Sequence, residues 1–96
     1  MFAITKDHDH EEFGDFPSRV GTIGPSGLAL NYDQIVNHKD GQKFRMLTDD
    51  DELIYEGVYV ATQNSDEFEP LDCFGMPDFG CTRIEYANNE GEWEQI

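Results

Sequence analysis

"QKFRMLTDDDELIYEGVYVAT", residues 42–62, decides how this chain folds. Its first seven residues alternate loosely between polar and apolar, and its last eleven are almost continuously apolar. A period of two suits a strand with one wetted face, whereas an unbroken apolar run suits a strand buried on both faces. Between the two runs stand Asp49, Asp50 and Asp51, residues that tolerate turn dihedrals and bond their own backbone. The stretch therefore reads as a hairpin closed by a type I or longer turn, with its second arm central in an antiparallel sheet.

The flanking sequence extends that sheet. "MFAIT" (1–5) and the β-branched "RVGTIG" (19–24) read as strands, separated by a polar loop over about 6–18 in which Gly14 and Pro17 act as breakers. In "CTRIEYA" (81–87) the alternation puts Ile84 and Tyr86 on one face and Arg83 and Glu85 on the other. "NNEG" is a hairpin signal, and "EWEQI" closes the sheet. One helix is expected, over about 31–39. Asn31 suits its N-cap, Gln34 stands in capping-box position, and Gly41 suits a left-handed close. The expectation is a single α+β domain over 1–96, an antiparallel sheet of about five strands with this short helix on one face. A second long loop covers 63–80, too long for an idle connection in a compact domain.

Charge is the most unusual property of the chain. Twenty-one acids oppose six bases, for a formal charge of −15. Residues 1–45 carry seven acids and five bases; residues 46–96 carry fourteen acids and Arg83 alone. From Met46 to Thr82 there is no Lys or Arg. So one-sided a field repels nucleic acid and anionic membrane and attracts cations or a basic protein surface. Solubility accounts for a net charge of magnitude about 2 to 8 on a small domain, and this chain goes well beyond that. The opening residues show no signal-peptide pattern and no run approaches the roughly 20 apolar residues of a membrane helix, so a cytoplasmic location is expected.

Four local clusters carry candidate chemistry. In "DHDHEE" (7–12), His8 and His10 on an extended chain would point the same way, and Asp7 and Asp9 could complete a divalent site. The bland alternative is a solvated loop that contains histidines. "DDDE" (49–52) fails as an EF-hand loop, because the sixth position from Asp49 is Ile54 and the flanks read as strands. Cys73 and Cys81 are not in a C-x-x-C arrangement and read as reduced, partly buried thiols, with a disulfide across the loop as the minority alternative. Acidic neighbours such as Asp72 and Asp78 would raise a thiol pKa, which disfavours a nucleophile. No P-loop, G-x-G-x-x-G or G-x-S-x-G is present. The chain reads as a non-enzyme without a cofactor.

The acids of the second half form the strongest candidate. Asp49, Asp50, Asp51, Glu52, Glu56, Asp66, Glu67, Glu69, Asp72 and Asp78 follow one another without a base. Arrayed along a surface, carboxylates present charge as duplex phosphates do, at roughly one per 1.7 Å of axis. The aromatic stretch 68–79, with Phe68, Leu71, Phe74, Met76, Pro77 and Phe79, reads chiefly as core pinned on the sheet, with an exposed anchor in an acidic rim as the alternative.

"FRMLTDDDELIYEG" and "EPLDCFGMPDFGCTRIEY", within residues 44–86, resemble a pattern in short acidic bacterial and mobile-element proteins, of phage or plasmid setting. The resemblance attaches no activity, and it implies a prokaryotic context. By size and charge, inhibitors of bacterial defence systems that mimic nucleic acid are the analogy. The leading expectation is therefore a non-enzymatic binder of a basic, nucleic-acid-binding protein surface. The alternatives are a metal-binding protein using the His cluster, or an accessory domain that dimerises through its edge strand.

Overall fold

The computed structural model describes residues 1–14, 17–24, 30–61 and 66–96, and within them all side chains except those of Phe13, Asp78 and Phe79. Strands β1 (Phe2–Asp7), β2 (Ile23–Gly24), β3 (Gln42–Leu47), β4 (Leu53–Tyr59), β5 (Arg83–Ala87) and β6 (Trp93–Gln95) form one antiparallel sheet. Their order is β2-β1-β4-β3-β5-β6. The hairpin of β3 and β4 is the middle of the sheet, as its apolar second arm demands. β6 is an edge strand, and so is β2, which is shorter than the 19–24 run suggested because only two residues pair.

The hairpin turn follows from its acids. Asp51 N–H donates to Thr48 O at 3.0 Å, and Thr48 N–H donates to Glu52 O at 3.0 Å. That pattern is a type I turn followed by a left-handed residue, and Asp51 takes that place with φ of 64°. The β5–β6 turn repeats the same bonds between Asn88, Gly91 and Glu92, with Gly91 at φ 81°. Gly57 in β4 is needed for another reason: a Cβ there would lie 2.2 Å from Ala3 O on β1. At that distance a side chain would push the two strands apart.

Three short helices lie around the sheet. α2 (Tyr32–Val36) has the expected capping box, Asn31 with Gln34, and buries Ile35. It ends at Asn37, earlier than 39, and Gly41 does not take a left-handed conformation. A Cβ on Gly41 would meet Val58 Cγ1 at 2.8 Å, so this glycine allows close approach. The loop expected over 6–18 contains α1 (His8–Phe13), capped by Asp7 and closed by Gly14 at φ 71°. The loop expected over 63–80 contains a π-helical turn, Leu71–Gly75, running into α3 (Met76–Phe79). Met76 N–H reaches back to Leu71 O, and Pro77 has no N–H with which to continue the regular ladder from Cys73.

The sheet has a cluster on each face. On one, Leu71 and Phe74 of the π-helical turn cover Phe2, Ile4, Phe44, Met46, Tyr55, Tyr59, Ile84 and Tyr86. Phe74 meets the Tyr55 ring at 5.0 Å between centroids, inclined by 64°. On the other, Met1, Ala3, Ile35, Val58 and Val60 cluster with Leu30, Tyr32 and Val36 at the α2 end. The aromatic stretch 68–79 thus divides: Leu71 and Phe74 are core, whereas Phe68 and Met76 are exposed.

Candidate functional site

The structure regroups the acids. β3 runs from Gln42 at one end of the sheet to Leu47 beside the 48–52 turn, a span of roughly 17 Å at about 3.3 Å per residue. Asp49, Asp50, Asp51 and Glu52 are exposed at the turn end. Asp7 pairs with Tyr55, and Tyr55 with Met46, so β1 finishes at this end and α1 starts there. Glu11 and Glu12 of α1 are exposed and Asp9 half-buried. The turn end thus holds acids from both halves of the sequence, a grouping that strand register creates and sequence order conceals.

Asp66 and Glu67 sit elsewhere. Tyr86 O–H donates to Glu67 O at 2.7 Å, and Tyr86 pairs with Phe44, toward the far end of β3. Glu69 lies with them, 2.6 Å from the Met1 amino nitrogen and only 11 % exposed. Asp72 is exposed on the π-helical turn, and the Asp78 side chain lies outside the described residues. Glu56 faces the side of the sheet away from the π-helical turn, 28 % exposed, with His8 Nε2 2.6 Å from its Oε2. The ten acids are therefore not one surface: four cluster at the turn end, two lie at the far end, and Glu56 and Glu69 are held in internal pairs.

The histidine cluster is also rearranged. On a helix, positions i and i+2 diverge by roughly 200°, so His8 and His10 do not converge as they would on an extended chain. His8 goes to Glu56, with Glu11 at 3.8 Å from its Nδ1. Both carboxylate oxygens of Asp7 accept backbone N–H groups, from His10 at 3.0 Å and Arg19 at 2.9 Å. Among the described residues no three His, Cys, Asp or Glu side chains are gathered as a metal site would need. The signal that could have revealed α1 was present: an Asp N-cap, acids in the first turn and a glycine just past the end.

Both cysteines are free; Cys81 is fully buried and Cys73 is exposed. Burial pushes the Cys81 thiol up to about 12, and burial with Glu69 and Asp72 nearby raises that of Cys73. Neither is primed as a thiolate nucleophile.

What sequence reading missed is the destination of the bases. Lys6, Glu56, Arg45 and Glu85 occupy one cross-strand row of alternating charge on β1, β4, β3 and β5. Arg45 Nε donates to Glu85 Oε1 at 2.7 Å, and its guanidinium stacks on Trp93, 4.6 Å from the ring centre. Arg83 adds to the row, pairing with Asp51 and lying 3.6 Å from Glu85 Oε2. Beside the row a groove of about 460 Å³ opens, lined by Thr5, Lys6, Val36, Lys43, Val58 and Trp93 among others. The period-two spacing of Lys43 and Arg45 in "QKFRML" was the available signal.

Comparison with known proteins finds no matching family, no similar curated protein and no similar solved structure. Among the described residues no helix is long and apolar enough to cross a membrane.

Proposed function

We propose that this chain is a non-enzymatic acidic binding protein that docks its turn end onto a basic protein surface. In its most concrete form it is a nucleic-acid-mimicking inhibitor of a bacterial defence complex or another nucleic-acid-processing complex. One observation carries the reading: exposed Glu11 and Glu12 of α1 lie at the same end of the sheet as exposed Asp49, Asp50, Asp51 and Glu52. Of the bases near that cluster, Arg83 is already engaged by Asp51 and Glu85. The exposed carboxylates of this end would replace the phosphates a basic groove normally neutralises. Such an interface gains speed and selectivity from long-range attraction, and salt weakens it steeply.

The test is capture of a partner from bacterial lysate at low salt, followed by affinity measurement across a salt series. Binding should fall at least about tenfold between 50 and 200 mM salt, as counter-ion release requires. The variant with Asp49, Asp50 and Asp51 changed to Asn and Glu52 to Gln should bind at least about tenfold more weakly at low salt, losing interfacial charge. A flat salt response, or full binding by that variant with its circular dichroism unchanged, would exclude the mechanism.

A further inference from the structure

We infer that the groove beside the alternating charge row is a binding site for a small organic anion with a flat apolar body, such as an aryl carboxylate. It rests on features independent of the acidic end. In a molecule with twenty-one acids and six bases, each base has a surplus of potential partners. Yet Lys6 and Lys43, both exposed and both lining this groove, make no ion pair among the described residues. They project from the two strands that flank β4, roughly 10 Å apart across the sheet. Flexible stems of four carbons let both ammonium groups turn towards one anion between them.

The rest of the lining suits the rest of such a ligand. Trp93 offers a flat wall, and its ring is held in place from one side by the Arg45 guanidinium, itself fixed to Glu85. Val36 and Val58 supply apolar contact, and the volume falls within the roughly 300–1,000 Å³ of small-molecule sites. Among the described residues Glu56 is the one carboxylate of the lining, and its Oε2 is already bonded to His8 Nε2 at 2.6 Å. The groove is therefore locally cationic inside a strongly anionic molecule.

The size of the anion follows from the same contrast. A polyanion extends beyond the Debye length of about 8 Å and meets the whole field of −15. A second copy of the chain would bring another −15 with it. A monoanion inside the groove meets two ammonium groups against the single carboxylate of Glu56, and more distant exposed charges are screened.

Trp93 is the sole tryptophan, so its indole N–H gives one diagnostic resonance in a ¹⁵N–¹H correlation spectrum. The experiment titrates the protein with 2-naphthoate and, separately, with its neutral counterpart 2-naphthamide. The naphthoate should shift the indole signal saturably at sub-millimolar to millimolar concentration, and the amide should bind at least about tenfold more weakly, lacking charge-assisted bonds. Joint replacement Lys6→Met and Lys43→Met, which keeps the stems, should weaken the naphthoate by about tenfold or more. Lys39→Met, outside the groove lining, should leave it unchanged. Equal binding of the two compounds, an unaffected double variant, or no shift up to about 10 mM would each overturn the inference. The acid-to-amide comparison is made in the unaltered protein, so it does not depend on the variants folding, and loss of salt-sensitive partner binding would leave it untouched.

Discussion

The two faces of this sheet are built from the same six strands and held by opposite means. One face is closed by the π-helical turn, whose Leu71 and Phe74 join eight large side chains of β1, β3, β4 and β5 in one cluster. The other is covered by α2 at one end, and it carries a row of alternating charge with Trp93 and two lysines that make no ion pair among the described residues. The difference shows how the sheet divides its labour between its two faces. A chain this small can bury only about two-thirds of its unfolded surface, so one tight core supplies the stability. The second face is left to paired charges, which cost little when half-exposed and add little.

The sharpest way to break this comparison is Phe74→Ala. Phe74 is 7 % exposed and contacts the Tyr55 and Phe2 rings. Its truncation should cost about 3–5 kcal/mol through lost transfer energy and a residual cavity. Urea unfolding measures it, and a loss below about 1 kcal/mol would mean that the π-helical turn is not what closes the core.

Alkaline titration should come next in size. On the covered face, burial raises the pKa of Cys81 from 9.0 to about 12 and also raises those of Tyr55 and Tyr86. A folded pKa above the unfolded one means the native state keeps protons that the unfolded chain releases. This stability is present in full below pH 9.0 and is lost as pH rises towards about 12, by at most about 1.4 kcal/mol per pH unit for one group. The unfolding midpoint in urea should therefore decline above pH 9, and Cys81→Ala should flatten part of the decline. A midpoint constant between pH 8 and 11 would contradict the burial of these three groups.

The smallest effect belongs to the open face. Trp93→Ala removes a larger ring than Phe74→Ala does, yet the indole is only half-buried and its described ring partner is the Arg45 guanidinium. The loss should be about 1 kcal/mol, the scale of one exposed stacking contact. Thermal unfolding of the two variants side by side gives the ratio. If Trp93→Ala proves as damaging as Phe74→Ala, the two faces are equivalent and the groove is core.

Particular residues show where sequence reading succeeds. The 42–62 hairpin, the Asn31–Gln34 capping box and the Ile84–Tyr86 alternation were all legible, because each depends on residues within a few positions of one another. The helical segment at 71–79 was not. Pro70, Gly75, Pro77 and Gly80 read locally as breakers, and what holds the segment is the burial of Leu71 and Phe74 against strands far away in sequence. The acids divide similarly: Asp49 to Glu52 stand exposed together at one turn, whereas Glu56 and Glu69 are paired with His8 and the Met1 amino group.

By itself, the sequence determined an antiparallel α+β domain, a central hairpin turning through aspartates, and an excess of negative charge. Tertiary structure alone decided which charges became neighbours. Register placed Lys6, Glu56, Arg45 and Glu85 in one row, joined the acids of α1 to those of the 48–52 turn, and left Lys6 and Lys43 facing a groove. The physical reason is range. Turn and strand preferences act over a few residues, whereas cross-strand pairing brings together positions as distant as Phe2 and Tyr59, and no local pattern records which will meet.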